Sequence, residues 1–154
     1  MDHRKLALSA TALLLILGAV ALVALSRSKA GDPATVPLAA LSELRARDVL
    51  FIEEHDIYLV NTEATPLALS NDAQHVGDIV EFCTSSRMFE SAAHGEKFDI
   101  RGNYYAGPAA RGLARYPVRV VGQQIFVDLD RELPGPDRGA QDALEPEGRF
   151  CVPT

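Results

Sequence analysis

Two short segments, each ending in a histidine, place the strongest constraint on how this chain can fold. The first runs Asp72-Ala73-Gln74-His75 and the second runs Ser91-Ala92-Ala93-His94. Fifteen residues separate His75 from Ser91. Gly77 and Gly95 follow the two histidines, and glycine favours turns because it reaches left-handed backbone conformations at little cost. A residue that shapes the backbone therefore stands one position after His94 and two positions after His75.

The spacing resembles the signature of Rieske iron–sulfur domains, in which Cys-x-His is followed, after a spacer of similar length, by Cys-x-x-His. In that family the cysteines bind one iron of a [2Fe–2S] cluster and the histidines bind the other. Here His75 and His94 occupy the histidine positions, whereas Ala73 and Ser91 occupy the cysteine positions. The resemblance therefore implies a Rieske-like domain that retains the fold and lacks the thiolates for a cluster.

The resemblance extends well beyond the two histidines and covers residues 36–129. An apolar segment, Pro66-Leu67-Ala68-Leu69-Ser70, precedes the first loop, as it does in the family. The second histidine is followed by family-like positions, namely Gly95, Phe98, Asp99, Gly102, Gly107, Pro108, Ala109 and Leu113. In the family the Gly-Pro-Ala loop packs against the cluster, which implies a contact loop at Gly107 and Pro108 with Tyr104 and Tyr105 beside it.

Further departures from the family concern positions that matter only when a cluster is bound. Asp78 and Ala93 stand where the respiratory branch has two additional cysteines, and Glu96 replaces a serine that hydrogen-bonds a cluster sulfur. A carboxylate at that place would repel an anionic cluster. We therefore expect no cofactor and disfavour a [2Fe–2S] centre. A mononuclear metal held by His75, His94 and Glu96 stays open, because imidazole and carboxylate bind zinc, copper and iron.

Hydrophobic periodicity favours an all-β domain, a sandwich or a small barrel, and the resemblance implies that this domain is the Rieske-like antiparallel one. Apolar residues alternate with others along the region after Val49, as in half-buried strands: Val49, Phe51, Ile57, Leu59, Leu67 and Leu69. Residues 79–82 form another candidate strand, and residues 118–121 and 124–128 predict a hairpin around Gly122-Gln123. A brief helix is expected within residues 37–48, started by Ser42 as its cap or by Pro37.

The N-terminal region predicts one transmembrane helix over residues 6–26, preceded by a tail at 1–5 and followed by a linker at 27–35. Residues 6–26 carry no charge, and 21 helical residues span about 30 Å, the thickness of the hydrocarbon layer. A secretory signal peptide is the alternative, although the apolar stretch is long for one. Basic residues flank both ends, so the positive-inside rule hardly fixes orientation. We expect the domain on the periplasmic side of a bacterial inner membrane.

The remainder of the chain is acidic, with 20 Asp and Glu against 11 Lys and Arg beyond residue 29. No basic stripe is present, which excludes nucleic acid as an expected partner.

Residues 130–154 are rich in Pro and Gly, which predicts an extended tail. We expect its apolar end to pack on the domain. The two cysteines, Cys83 and Cys151, either form a disulfide in an oxidising compartment or are unrelated thiols.

These observations lead to three functional hypotheses, none of them enzymatic, since no activated nucleophile or paired acid and base is visible. The first is a membrane-anchored, cluster-free Rieske-like accessory subunit of a respiratory or photosynthetic electron-transfer complex. The second is an electron carrier or metal-binding protein using His75 and His94. The third is a periplasmic small-ligand binding module. The partner complex and the oligomeric state are not determined by the sequence.

Overall fold

The computed structural model describes residues 35–73 and 75–153. The predicted transmembrane helix at residues 6–26, the N-terminal tail and most of the linker lie outside the described residues. Within the described ranges, no helix has both the length and the apolar character needed to cross a membrane.

The described chain is mostly β-structure with one short α-helix. Its elements are, in order, β1 (Thr35–Ala40), α1 (Leu41–Arg47), β2 (Val49–Ile52), a 3-10 turn (Glu53–His55), β3 (Ile57–Val60), β4 (Leu67–Ser70), β5 (Val80–Cys83), β6 (Met88–Ser91), β7 (Lys97–Phe98), β8 (Tyr104–Ala106), β9 (Arg115–Tyr116), β10 (Val118–Val121) and β11 (Gln124–Asp128). The prediction of an all-β domain is confirmed.

The strands form three antiparallel sheets. We call them the closing sheet (β1-β11-β10), the middle sheet (β2-β3-β4-β9) and the insert sheet (β5-β6-β7-β8). β4 and β9 are neighbours in the middle sheet, yet the whole insert sheet lies between them in sequence. The segment that carries both histidine motifs is therefore an insertion between two paired strands.

The central strands of the middle sheet, β3 and β4, are buried on both faces, because each face contributes to a different hydrophobic core. In β3, Ile57 and Leu59 pack with Leu44, Ile125 and Val127 toward the closing sheet. Successive side chains of a strand point to opposite faces, so Tyr58 and Val60 enter the second core. That core also contains Leu69, Ala73, Val80, Phe89, Phe98, Ala109 and Leu113. The expectation that this strand is only half-buried is wrong, since all of β3 is buried.

The start of α1 differs from the prediction. Pro37 lies in β1, beside a register irregularity in its pairing with β11, which is where a residue without an N–H is tolerated. The helix begins at Leu41 after Ala40, and Ala40 makes no side-chain capping bond. Ser42 is thus inside the helix, and burial of Leu41 and Leu44 in the core holds it instead.

Two other local predictions can be compared directly. The hairpin around Gly122-Gln123 is confirmed, with Val121 paired to Gln124 and Gly122 in the left-handed region at a φ of 62°. The candidate strand at residues 79–82 is observed one residue later, as β5. Ile79 forms an isolated bridge to Asp72 instead, and its side chain is exposed.

The C-terminal segment docks on the insert sheet through its last residues. The Val152 N–H donates to Glu90 Oε2 at 2.7 Å, and the Glu147 N–H donates to the Ser86 carbonyl at 3.0 Å. The Phe150 ring lies over Lys97 Nζ, with 4.8 Å between nitrogen and ring centroid. The apolar end of the segment is therefore in contact with the domain, as its composition indicates.

Candidate functional site

The first histidine loop joins β4 to β5 and is anchored by Ala73. The Ala73 N–H donates to the Asp78 carbonyl at 2.8 Å, and the Val80 N–H donates to the Asn71 carbonyl at 2.8 Å. These bonds close the loop, and Gly77 turns it with a φ of 80°. The Ala73 side chain is 1% exposed and belongs to the core, whereas His75 and Val76 are exposed.

The second histidine loop joins β6 to β7 and is organised by Ser91. The Ser91 N–H donates to the Glu96 carbonyl at 2.9 Å, and the Gly95 N–H donates to the Ser91 carbonyl at 3.2 Å. The buried Ser91 hydroxyl accepts the Ala93 N–H at 3.2 Å and donates to Asp78 Oδ2 at 3.3 Å. Ser91 thus ties this loop to the first one.

A third loop, at Gly107 and Pro108, packs on the backbone of Glu96. A Cβ on Gly107 would stand 2.7 Å from Glu96 Cα, and the φ of Gly107 is 101°, so this approach requires glycine. The Tyr104 hydroxyl donates to the Gly107 carbonyl at 2.7 Å and braces the loop. Tyr105 instead faces the C-terminal segment, where its hydroxyl donates to Glu145 at 3.2 Å.

The first two loops bring four titratable side chains together, and we call this cluster of His75, Asp78, His94 and Glu96 the histidine tip. The rings of His75 and His94 lie edge to face, with centroids 5.7 Å apart. His94 Nδ1 forms a hydrogen bond with Asp78 Oδ2. One potential metal-binding atom from each of Asp78, His94 and Glu96 lies within 4.8 Å of the others. The convergence of the two imidazoles is as the resemblance implies.

The four side chains differ in exposure and in hydrogen bonding. The His94 side chain is 50% exposed and that of Asp78 is 10% exposed. Glu96 is 0% exposed, and neither of its carboxylate oxygens has a hydrogen-bond partner among the described residues. The hydrogen bond with Asp78 raises the pKa of His94, and the negative charges of Asp78 and Glu96 act in the same direction. The same bond lowers the pKa of Asp78.

Comparison with solved structures identifies the architecture. The domain is similar to the cyanobacterial plasma membrane Rieske protein PetC3 from Synechocystis PCC 6803, with a TM-score of 0.51 and 24% sequence identity, covering 60% of this chain and 97% of that chain. This chain carries a Rieske-like domain. The ferredoxin of carbazole 1,9a-dioxygenase from Nocardioides aromaticivorans IC177 is also similar, with a TM-score of 0.45 and 25% identity, covering 61% of this chain and 96% of that chain. No protein-family model and no curated protein matches the sequence.

The residues of this Rieske-like domain do not fit a [2Fe–2S] cluster. Thiolates bind one iron of such a cluster, and at the positions that the resemblance assigns to them the chain has Ala73 and Ser91. Ala73 offers no donor atom, and its methyl group is packed in the core. The Ser91 oxygen is a hard ligand that already bonds Asp78 and Ala93. The acidic pair of Asp78 and Glu96 adds negative charge where an anionic cluster would lie.

A disulfide joins Cys83, at the end of β5, to Cys151 in the C-terminal segment, with 5.8 Å between the Cα atoms. Of the two alternatives left open by the sequence, the structure therefore has the paired cysteines. The Ser85 hydroxyl beside them donates to the Arg149 carbonyl at 2.6 Å. The bridge lies at the hairpin end of β5 and β6, away from the paired ends at Val80 and Ser91 that lead into the histidine loops.

From the sequence, Asp78 and Glu96 are the carboxylates nearest to the two histidines, and the predicted site contains only Glu96. The structure adds Asp78 to the group. Its place follows from the Ala73–Asp78 backbone bond, which folds the loop back on itself and turns the carboxylate toward His94. The spacing of six positions from Asp72 to Asp78, with Gly77 between, was the one signal in the sequence for such a closure.

Proposed function

We propose that this chain is a membrane-anchored, cluster-free Rieske-like accessory subunit of a respiratory or photosynthetic electron-transfer complex. The fold of its structural neighbours supports an electron-transfer-related domain. The single observation that carries the cluster-free part is the replacement of both thiolates, with Ala73 sealed in the core. In this proposal the domain has a structural role in the complex and carries no electrons itself.

The membrane anchor in this proposal is the uncharged segment at residues 6–26, with the domain on the extracytoplasmic side of a bacterial inner membrane. Two observations support this placement. The similar PetC3 structure is described as a plasma membrane protein. The Cys83–Cys151 disulfide is typical of oxidising compartments, which include the bacterial periplasm.

We also propose that the domain is not itself catalytic. A hydrolytic triad needs the serine hydroxyl on the imidazole and the carboxylate on the opposite ring nitrogen. Here the Ser91 hydroxyl donates to Asp78, the same carboxylate that bonds His94 Nδ1. The hydroxyl is buried and is not activated by the imidazole.

The proposal is tested by purifying the tagged chain from its native membranes under mild detergent. We expect co-purification with other subunits of a redox complex and far less than stoichiometric iron and acid-labile sulfide. A chain recovered only as a free monomer contradicts the accessory role. Stoichiometric iron and sulfide with a Rieske-type EPR signal contradict the cluster-free role.

A matched variant separates loss of ligands from loss of the fold. The triple change Ala73→Cys/Ser91→Cys/Glu96→Gln restores the two thiolates and removes the buried acidic group. We expect this variant, expressed with iron–sulfur assembly factors, to acquire iron and sulfide that the parent lacks. Equal iron in the parent and the variant would count against the argument from the missing thiolates.

A further inference from the structure

Glu96 is buried without any donor to satisfy it. Its carboxylate is 0% exposed, and both oxygens lack a hydrogen-bond partner among the described residues. Burying an unpaired carboxylate is strongly unfavourable, so native structures pair such a group with a donor, a cation or a metal. Glu96 therefore requires either a proton or a positively charged partner.

The neighbouring lysine does not provide that partner. Lys97 follows Glu96 in the chain and is the first residue of β7. Lys97 Nζ lies over the Phe150 ring and forms no hydrogen bond within the described residues. The charge of Glu96 is thus left facing the other members of the histidine tip.

Those members already form a set of metal-binding groups. One atom from each of Asp78, His94 and Glu96 lies within 4.8 Å of the other two. Two carboxyl groups so close to each other repel when both are charged, and either a shared proton or a cation between them removes that repulsion. His94 is half exposed, so an ion can reach the group from solvent. Glu96 is fully buried and lies on the interior side of the group.

We propose that Asp78, His94 and Glu96 bind one divalent transition-metal cation, with Zn²⁺ as its representative. Two carboxylates and a neutral imidazole balance the charge of a dication and match the nitrogen and oxygen ligands of zinc. The imidazole argues against Ca²⁺ and Mg²⁺, which prefer oxygen ligands. His75, whose ring centroid is 5.7 Å from that of His94, is the side chain placed to complete the coordination. A single ion of this kind needs neither thiolate nor sulfide.

The test uses the full-length chain, stripped with a chelator and titrated with Zn²⁺ by calorimetry and equilibrium dialysis. We expect one ion per chain. Glu96→Gln and His94→Ala should each weaken binding by at least about a hundredfold, the upper end of what loss of an outer-shell partner causes. Two matched controls should bind as the parent does: Glu81→Gln, an exposed carboxylate on β5, and His55→Ala, a histidine in the 3-10 turn.

Thermal unfolding gives a second measurement on the same samples. Zn²⁺ should raise the unfolding midpoint of the parent and of both controls, and should leave the Glu96→Gln midpoint unchanged, because a ligand stabilises only the state that binds it. Full-strength binding by both tip variants would overturn the inference, and so would no binding by the parent at micromolar Zn²⁺. Failure here leaves the proposed function standing, whereas stoichiometric iron and acid-labile sulfide in the native protein would contradict its cluster-free part.

Discussion

Glu90 and Glu96 are both buried, but the hydrogen bonding of their carboxylates differs. Glu90, in β6, is 2% exposed and accepts the Ser86 hydroxyl at 2.6 Å and the Val152 N–H at 2.7 Å. Glu96, just before β7, accepts nothing from the described residues. A buried carboxylate whose oxygens are both satisfied is part of the architecture, since each bond to it replaces one lost from water. A buried carboxylate without hydrogen-bond donors indicates a place where another group binds.

The two glutamates are close along the insert sheet, since Glu90 pairs with Lys97, but their carboxylates lie in differently secured surroundings. Around the Glu90 carboxylate, the disulfide and several hydrogen bonds hold the C-terminal segment on the β5–β6 hairpin. Around Glu96, the histidine tip is held by backbone bonds and by the pair of Asp78 and His94. Substitutions in the two surroundings should therefore differ in size and in their response to metal.

The largest effect is expected from removing the disulfide. Cys83 and Cys151 are 68 positions apart, and closing a loop of that length contributes about 4 kcal/mol in the chain-entropy model. Urea unfolding of Cys83→Ala/Cys151→Ala, compared with the parent under oxidising conditions, measures the loss. A change below about 1 kcal/mol would show that the clamp depends on its hydrogen bonds and not on the covalent link.

The second effect contrasts the two glutamates directly. In Glu90→Gln, the new NH₂ group faces a hydrogen-bond donor that the carboxylate oxygen accepted. The free energy of unfolding should therefore fall by about 1–3 kcal/mol. Glu96→Gln in the metal-stripped chain should cost less than about 0.5 kcal/mol, because the amide removes a buried charge that nothing compensates. Denaturant titrations with a chelator present measure both values. Equal losses in the free energy of unfolding for the two variants would show that the two buried carboxylates do not differ in this respect.

A smaller effect is expected at Tyr58, whose hydroxyl donates to the Val80 carbonyl at 3.1 Å at the base of the first histidine loop. Tyr58→Phe should cost about 1 kcal/mol. Burial raises the pKa of Tyr58, so its neutral form contributes stability that is complete below the unfolded pKa of about 10 and is lost as pH rises through the folded value.

The pH dependence supplies the check on Tyr58. Above pH of about 10, the free energy of unfolding of the parent should fall more steeply than that of the Tyr58→Phe variant. Parallel curves for the two proteins at alkaline pH would show that the Tyr58 hydroxyl does not distinguish the folded from the unfolded state.

The smallest effect belongs to the exposed ion pair between Arg87 and Glu147, with 3.1 Å between Nε and Oε1. Solvent screens such a pair, and Glu147→Gln should change the free energy of unfolding by no more than about 0.5 kcal/mol. Thermal melts at low and high salt measure it. A loss as large as that of Glu90→Gln would mean that the C-terminal segment depends on surface charge.

The features that sequence predicted well were those fixed by local chemistry. Glycine after each histidine, the Gly122-Gln123 turn and the alternation of apolar residues each reflect a backbone or burial preference of one short segment. The resemblance to Rieske domains then supplied the convergence of His75 and His94, which no local pattern contains. Together they gave the sheet-rich fold and the position of the tip.

The features that sequence did not predict depend on which side chains meet in three dimensions. Full burial of β3 follows from two cores on opposite faces of one sheet, and alternation in the strand looks the same when one face is exposed. The contact of Asp78 with His94 depends on how the first loop closes. Lys97 is 1% exposed against the Phe150 ring, although lysine is rarely buried in proteins.

The placement of the insert sheet between β4 and β9 bears on which substitutions the domain tolerates. The chain leaves the middle sheet at one strand and returns at its immediate neighbour, so the pairing of these two strands contains none of the residues of the histidine tip. Donor groups at the outer rim can therefore be exchanged, oxygen for sulfur or the reverse, without removing a strand from the middle sheet.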